Sequence, residues 1–373
     1  MEKNITNKNA KIANYQFLLS IMVVLIHSSS IFINLPGSRL QYVFGENWAT
    51  FIQVFIGDGI ARIAVPTFFL ISGALFFRNF DGTFCNWGKK LKRRIFSLVI
   101  PYLFWSAFTF FAFFFAQKIP ALAPYFTTRN QSQLSFKVLL DEIILSSYNS
   151  PLWYCRYLIV FTVLAVPLYW IAKKAPVILL GVTLYGWLAG FSIGFPVKWM
   201  GVFFYCLGAV ISVHYEKIQK WTGKFWYGKK KTVITWISTA LWILTLILRT
   251  AHYCKQDPSM MNDGKYDQFV MITQNIGIVF GMIAGWGLYD LAVKNTEKIW
   301  KVSSYSFLIF VCHHPLVNVI KKLLMKLFGV SEWSSLCVFF LSPLLSVGII
   351  LAVGYLIRRY LKPVWKFVTG GRC

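Results

Sequence analysis

The chain has 373 residues, of which 57% are hydrophobic and only 14% charged. Soluble domains average about 25% charged residues, so a length that would otherwise suggest two or three soluble domains instead suits one bundle of membrane helices. The formal net charge of +25 does not mark a nucleic-acid binder, because the basic residues stand in short clusters between apolar runs, with no binding motif or extended polar surface beside them.

A helical span takes about 20 mostly apolar residues, and about ten runs of that kind are predicted as spans. They are 12–34, 51–78, 93–117, 152–172, 176–193, 196–213, 232–250, 271–293, 303–326 and 335–361. The fifth and sixth are short and separated only by the Gly194-Phe195-Pro196 turn. The first follows a Lys-rich start, as in a signal peptide, but it is long and carries His27, so it is predicted as a retained span. The expected fold is an all-α integral membrane protein, a polytopic bundle forming a single domain over 1–373 with no separate soluble part. Cys85, Cys155, Cys206, Cys254, Cys312, Cys337 and Cys373 form no CxxC, and most sit in or beside apolar runs, as buried thiols do.

Loop charge sets the orientation. With Lys3, Lys8 and Lys11 in the cytoplasm, the inner connections carry Lys89, Lys90, Lys92, Arg93 and Arg94, then Lys173 and Lys174. Further along they carry Lys217, Lys220, Lys224, Lys229, Lys230 and Lys231, then Lys294, Lys298 and Lys301. The tail adds Arg358, Arg359, Lys362, Lys366 and Arg372. The outer connections hold only Arg39, Lys118, Arg129, Lys137, Lys255 and Lys265, mixed with acids. The alternation predicts both ends inside, N-in and C-in. The longest outer loop, from about Gln117 to Pro151, is placed to lid a site.

Ionisable groups inside the hydrocarbon are costly and therefore candidates for function. Gln16 and His27 of the first span lie about three turns apart on one face, with Ser20 and Ser30 extending the stripe. His27 is about 22 Å along the helix from Ile12, in the outer half of the membrane. It suits general acid-base work, or alternatively a hydrogen bond that holds the bundle together. The second span carries Asp58 and Arg62 at i,i+4, a spacing for a salt bridge, and Pro66 is predicted to kink the helix there. Arg62 reaches the depth of His27, about 22 Å from the inner end of its span. A self-contained Asp58-Arg62 pair with no ligand is the alternative. Arg156 follows Trp153 near the outer end of the fourth span, and His313 and His314 lie mid-span in the ninth. Adjacent helical residues point about 100° apart, which argues against this His pair holding one metal. The cluster Lys89, Lys90, Lys92, Arg93 and Arg94 reads as a topology and anionic-lipid signal, or as a dock for a phosphate-rich cytoplasmic ligand.

These residues fall in blocks that resemble the acyltransferase-3 family of bacterial membrane acyltransferases, which modify cell-envelope glycans. The resemblance covers most of the chain. YQFLLSIMVVLIHSS ends in the family's first-span His at His27, and RIAVPTFFLISGALFF is similar to its V-P-x-F-F-x-x-S-G block from Val65 to Gly73. KKLKRRIFSLVIPYLFW resembles its basic turn running into Pro-Tyr, here Pro101 and Tyr102. PLWYCRYLIV resembles its L-W-[FY] block, and SSYSFLIFVCHHPLV its S-[FY]-x-[IL]-[YF]-x-x-H-x-P block. The chain departs from the family's R-x10-H spacing by placing Gln16 where the Arg stands. Gln donates hydrogen bonds but carries no charge, and Arg62 or Arg156 is the expected substitute cation.

The resemblance implies O-acyl transfer from acyl-CoA, usually acetyl-CoA as a co-substrate with no tightly bound cofactor, to a carbohydrate hydroxyl. It implies catalytic roles for His27, Gln16 and Arg62. Substrate contacts are expected from Ser72, Trp153, Arg156, Tyr305, His313 and His314, and contacts to the CoA phosphates from Lys90, Arg93 and Arg94. The expected partners are acyl-CoA, an envelope glycan or glycolipid and membrane lipid, with a homo-oligomer allowed, in the bacterial plasma (inner) membrane. No Ser-His-Asp set or G-x-S-x-G elbow is present, and Ser72 beside Gly73 reads as a close-packing pair rather than a nucleophile. Two alternatives stay open: a transporter or flippase for a lipid-linked glycan, and a membrane sensor or scaffold that has lost catalysis.

Overall fold

The computed structural model describes residues 2–33, 35, 41–126, 135–145, 149–190, 198–257, 267–293 and 300–371. The Gly194-Phe195-Pro196 turn, Asn34, Arg39, Arg129, Lys265, Lys294, Lys298, Arg372 and Cys373 lie outside them, as does part of the 117–151 loop. Among the described residues, seven helices are long and apolar enough to cross a membrane: Ala10–Ser28, Trp48–Phe77, Phe84–Gln117, Gly228–Cys254, Gln268–Ala292, Lys301–Phe328 and Glu332–Tyr360. A bent pair, Ser150–Val163 with Ala165–Lys174, makes an eighth if it is one span. The fifth and sixth predicted spans are the shorter apolar helices Pro176–Leu188 and Trp199–Val213. Each of the ten apolar runs is therefore largely helical, although two fall short of the bilayer thickness, and the chain is a multi-pass membrane protein. Large apolar side chains such as Phe84, Val177 and Leu327 lie on its surface, where lipid can cover them.

The helices in chain order are α1 (Glu2–Ser28), α2 (Trp48–Gln53), α3 (Ala64–Phe77), α4 (Phe84–Arg94), α5 (Ile100–Gln117), α6 (Phe136–Leu140), α7 (Trp153–Val163), α8 (Ala165–Lys174), α9 (Pro176–Leu188) and α10 (Trp199–Val213). They continue as α11 (Tyr215–Thr222), α12 (Gly228–Cys254), α13 (Gln268–Ala292), α14 (Ser306–Phe328), α15 (Glu332–Tyr360) and α16 (Lys362–Thr369). A two-stranded antiparallel ribbon pairs β1 (Phe32–Ile33) with β2 (Gln41–Tyr42) just past the end of α1.

Prolines stand beside several of the breaks. Between α2 and α3 the backbone runs as a π-helical turn over Val54–Gly59 and a 3-10 turn over Ile60–Ile63. The irregularity expected at Pro66 thus lies on its N-terminal side, and Pro66 itself sits in the first turn of α3, where its missing N–H costs least. The fourth predicted span is not straight but bends by 72° between α7 and α8. Pro167, in the first turn of α8, cannot donate to the Val163 carbonyl, and its ring crowds that position. In α14, Pro315 leaves the Val311 carbonyl without a helical donor. The buried side chain of Asn149 donates to that carbonyl at 2.7 Å. This bond ties the start of α7 to the middle of α14.

Close packing and polar ties hold the bundle. A Cβ on Gly73 would lie 2.2 Å from the Tyr205 carbonyl oxygen, and one on Gly208 would lie 2.2 Å from that of Leu70. The backbones of α3 and α10 therefore touch, as small residues permit in membranes. At one end of the bundle, Asp290 of α13 pairs with both Lys11 and Lys231. Asn14 there accepts from the Trp300 N–H at 2.8 Å and the Ser303 hydroxyl at 3.0 Å. Arg358 donates to the Ser304 hydroxyl at 2.6 Å. These contacts bring the membrane-entering part of α1, the start of α14 and the end of α15 to the same, basic end. At the opposite end α1 stops at Ser28, and the buried Gln53 side chain holds the residues that follow. It accepts from the Ser30 N–H at 2.9 Å and donates to the Ser335 hydroxyl at 2.8 Å.

Candidate active site

A cavity of about 370 Å³ opens inside the bundle, within the range of about 300–1,000 Å³ typical of small-ligand pockets. One wall is a single stripe of α1: Ala13, Gln16, Ser20, Val23 and His27. Helical periodicity puts these positions on one face and spreads them over about 21 Å. Ser72 and Leu75 of α3 and Tyr154 and Leu158 of α7 form another part of the wall. Arg94, Ser303 and Ser304 line it at the basic end, and Pro151 and Trp153 also contribute.

Five residues expected from the sequence thus line one cavity: Gln16, His27, Ser72, Trp153 and Arg94. The Ser72 hydroxyl lies 2.7 Å from the Tyr154 hydroxyl, which itself lies 3.2 Å from the Phe68 carbonyl. Ser72 therefore takes part in a polar pair inside the cavity, while Gly73 makes the close helix contact. Ser20 donates to the Gln16 carbonyl at 2.9 Å, which satisfies its hydroxyl within the helix.

Three histidines gather at one level. The ring of His27 meets that of His314 edge-on, with centroids 4.8 Å apart, and lies 5.2 Å from that of His313. His313 is buried, and its Nδ1 lies 2.8 Å from the Phe310 carbonyl and 3.0 Å from that of Ile309. Donation to those carbonyls makes Nε2 the acceptor of the neutral ring. His314 Nε2 accepts from the Asn318 side-chain amide at 3.2 Å. Among the described residues no group of three His, Cys, Asp or Glu is arranged to hold a metal ion.

The remaining expected residues divide. Arg62 pairs with Asp58, and its charge is close enough to act on His27, as is that of Lys321. Asp58 is not confined to that pair, because Arg249 of α12, 1% exposed, also engages its carboxylate. Arg156 is half-buried beside Tyr102 and outside the cavity lining. Tyr305 is buried, its ring 5.2 Å from that of Trp365, while its neighbours Ser303, Ser304 and Ser306 line the cavity.

The basic cluster also divides. Lys90 donates to the carbonyls of Phe76 at 2.6 Å and Arg78 at 3.1 Å, so its ammonium closes the C-terminal end of α3. Arg93 is exposed, and Arg94 alone of the three expected donor contacts reaches the cavity wall. In the turn before α4, the Thr83 backbone N–H and hydroxyl donate to Asp81 at 2.9 and 2.8 Å. Those bonds hold its carboxyl below the usual carboxylate range. Sequence reasoning missed Tyr154, Ser303, Ser304, Lys321, Asn149 and Arg249. Lys321 and Arg249 carried a usable signal, being charged residues within or at the edge of apolar runs.

The bundle thus encloses a largely apolar cavity that Arg94 lines at the basic end and His27 lines further along, and comparison with known proteins gives the class of the chain. The chain belongs to the acyltransferase-3 family, whose model, described as "Acyltransferase domain", matches residues 12–357. It is therefore a multi-pass membrane acyltransferase by family. Among individual proteins, it is 25% identical over 366 residues to the succinoglycan biosynthesis protein ExoH of Rhizobium meliloti (strain 1021), an alignment covering 96% of this chain and 93% of that protein. No solved structure matches the chain.

Proposed function

We propose that the protein moves an acyl group, acetyl in the first instance, from acyl-CoA to a hydroxyl of a cell-envelope carbohydrate, with His27 as general base. The basic end of the bundle faces the cytoplasm, in the bacterial plasma membrane, and the chain acts as one transmembrane domain. The observation that carries this reading is one cavity lined by Arg94 and Ser304 and by the α1 stripe in which Gln16 and His27 stand about three turns apart. Arg94 holds a CoA phosphate, and the acyl-bearing arm lies along Gln16 and Ser20. His27 takes the proton of the acceptor hydroxyl as its oxygen attacks the thioester carbon. The tetrahedral oxyanion needs donors. The hydrogen-bonded Ser72–Tyr154 pair in the cavity can turn one O–H to it when the long bond from Tyr154 to the Phe68 carbonyl opens. The thiolate of CoA then leaves with the proton from the His27 imidazolium.

The name of the relative ties it to succinoglycan biosynthesis, which supports a polysaccharide acceptor here. Mass spectrometry of envelope glycans tests the reading in three strains: with the gene, without it, and with His27→Ala. Acylation is expected only in the first. Unchanged acylation in all three would sink it.

A further inference from the structure

The end of α1 is held in an unusual way. The helix stops at Ser28, one residue beyond His27, so the carbonyls of its last turn have no helical donor. Ser28 and Ser30 are buried, so little water reaches this turn to replace it. Lys321 of α14 donates to the His27 carbonyl at 2.9 Å and to the Ser29 carbonyl at 2.9 Å. A hydroxyl or amide would suffice as a cap. An ammonium inside an apolar span is a costly choice, partly offset by the negative end of the helix dipole that it meets.

The same face of α14 reaches the ring of His27. His314, Asn318 and Lys321 stand at i, i+4 and i+7, which puts them in one row. His314 contacts the His27 ring edge-on, Asn318 donates to His314, and Lys321 holds the His27 peptide. One rigid row thus grips both the ring and the backbone of the same residue. The neighbouring Lys322 points elsewhere and donates to the Tyr125 carbonyl at 2.6 Å. Beyond Lys321, the Gln53 and Ser335 side chains fix Ser30.

We propose that Lys321 is a positioning residue for His27, whose ammonium clamps the final turn of α1 and sets where the base stands in the cavity. This rests on His27 being the base. Lys321 need touch neither donor nor acceptor. A misplacement of about 1 Å at a reacting group can cost about a hundredfold in rate, so loss of the clamp appears in kcat.

The test uses the full-length enzyme in nanodiscs, acetyl-CoA as donor, and envelope polysaccharide extracted from a strain lacking the gene. Thiol release and acetyl incorporation are followed for Lys321→Met, Lys321→Gln, Lys321→Arg, Lys322→Met and His27→Ala. Lys321→Met is expected to lower kcat at least about tenfold with KM for acetyl-CoA within about twofold. Lys321→Gln falls between it and the parent, Lys321→Arg returns to within about threefold of the parent, and Lys322→Met is unchanged. A Lys321→Met enzyme with more than about half the parental kcat overturns the proposal, as does a loss expressed mainly in KM. If Lys321→Met does not fold, a failure of Lys321→Arg to restore kcat in folded protein overturns it. Full activity in His27→Ala would instead remove the base assignment on which the proposal stands.

Discussion

Arg249 engages the same Asp58 carboxylate that Arg62 holds. The i,i+4 pair legible in the second span is thus one side of a three-residue cluster, with two guanidinium groups around one carboxylate. The order of damage follows from the charges. Asp58→Asn leaves two cations facing each other, whereas Arg249→Met leaves one balanced pair. Removing one partner of a fully buried ion pair costs about 3–5 kcal/mol. The Asp58 side chain is only partly buried, so Asp58→Asn is expected at the lower end of that range, and Arg249→Met below it. Thermal unfolding midpoints in one detergent check the ranking, and the reverse order would contradict the shared carboxylate.

Gly73→Ala and Gly208→Ala each drive a methyl group onto the carbonyl of the facing helix. Overpacking costs about 1–3 kcal/mol where side chains can yield, and here backbone must move. Both variants are expected to lower the unfolding midpoint, while Gly348→Ala, whose Cβ would meet nothing within 4 Å, leaves it level or raises it slightly.

The three basic residues expected to meet the donor separate by role. Arg94→Met is expected to raise KM for acetyl-CoA about tenfold, the loss of one charge-assisted hydrogen bond. Lys90→Met uncovers the carbonyls at the end of α3 and lowers thermal stability with little change in KM. Arg93→Met changes neither. Initial-rate kinetics beside unfolding curves distinguish the three.

Asn149→Leu leaves the Val311 carbonyl without its donor, at a cost of about 1–3 kcal/mol for a buried polar group. A second change, Pro315→Ala, supplies a backbone N–H at the right place in the helix. The double variant is therefore expected to be more stable than Asn149→Leu alone. A further loss of stability would show that Asn149 acts by some route other than the proline gap.

Gln16→Arg restores the family spacing in a cavity that Arg94 also lines. Transfer activity is expected to be kept or increased. An inactive but folded enzyme would argue that Gln16 does not occupy the place of the family's Arg.

Segment lengths and residue blocks were readable because both depend on local chemistry. An apolar run long enough to cross the bilayer has few alternatives to helix, and the spacing of Gln16, Ser20 and His27 fixes a common face in any α-helix. Partners are different. Nothing within the run around Lys321 says that its ammonium meets the end of α1, and nothing near Arg249 points to Asp58, 191 residues earlier in the chain. Lys90 shows the opposite limit. It stands in a basic cluster of the sequence, yet its ammonium is committed to main-chain carbonyls that only the fold brings near it. Pro66 and Pro167 stand at breaks, as their chemistry requires, but the size of the bend at Pro167 depends on what packs around it.

The stretch from Trp153 to Val213 has a consequence for how the protein is built. Its four helices have 11, 10, 13 and 15 residues, about 15–22 Å each at 1.5 Å per residue, against about 30 Å of hydrocarbon. None is long enough to enter a bilayer stably by itself. The long helices α1, α12, α13, α14 and α15 have the length to cross alone, α7 and α8 reach it only as a bent pair, and α9 and α10 fall short, with α3 offering α10 a glycine-lined partner. The wall of the cavity that carries Trp153 and Tyr154 therefore depends on helix packing for its place, and the candidate site is expected to form only as the bundle closes.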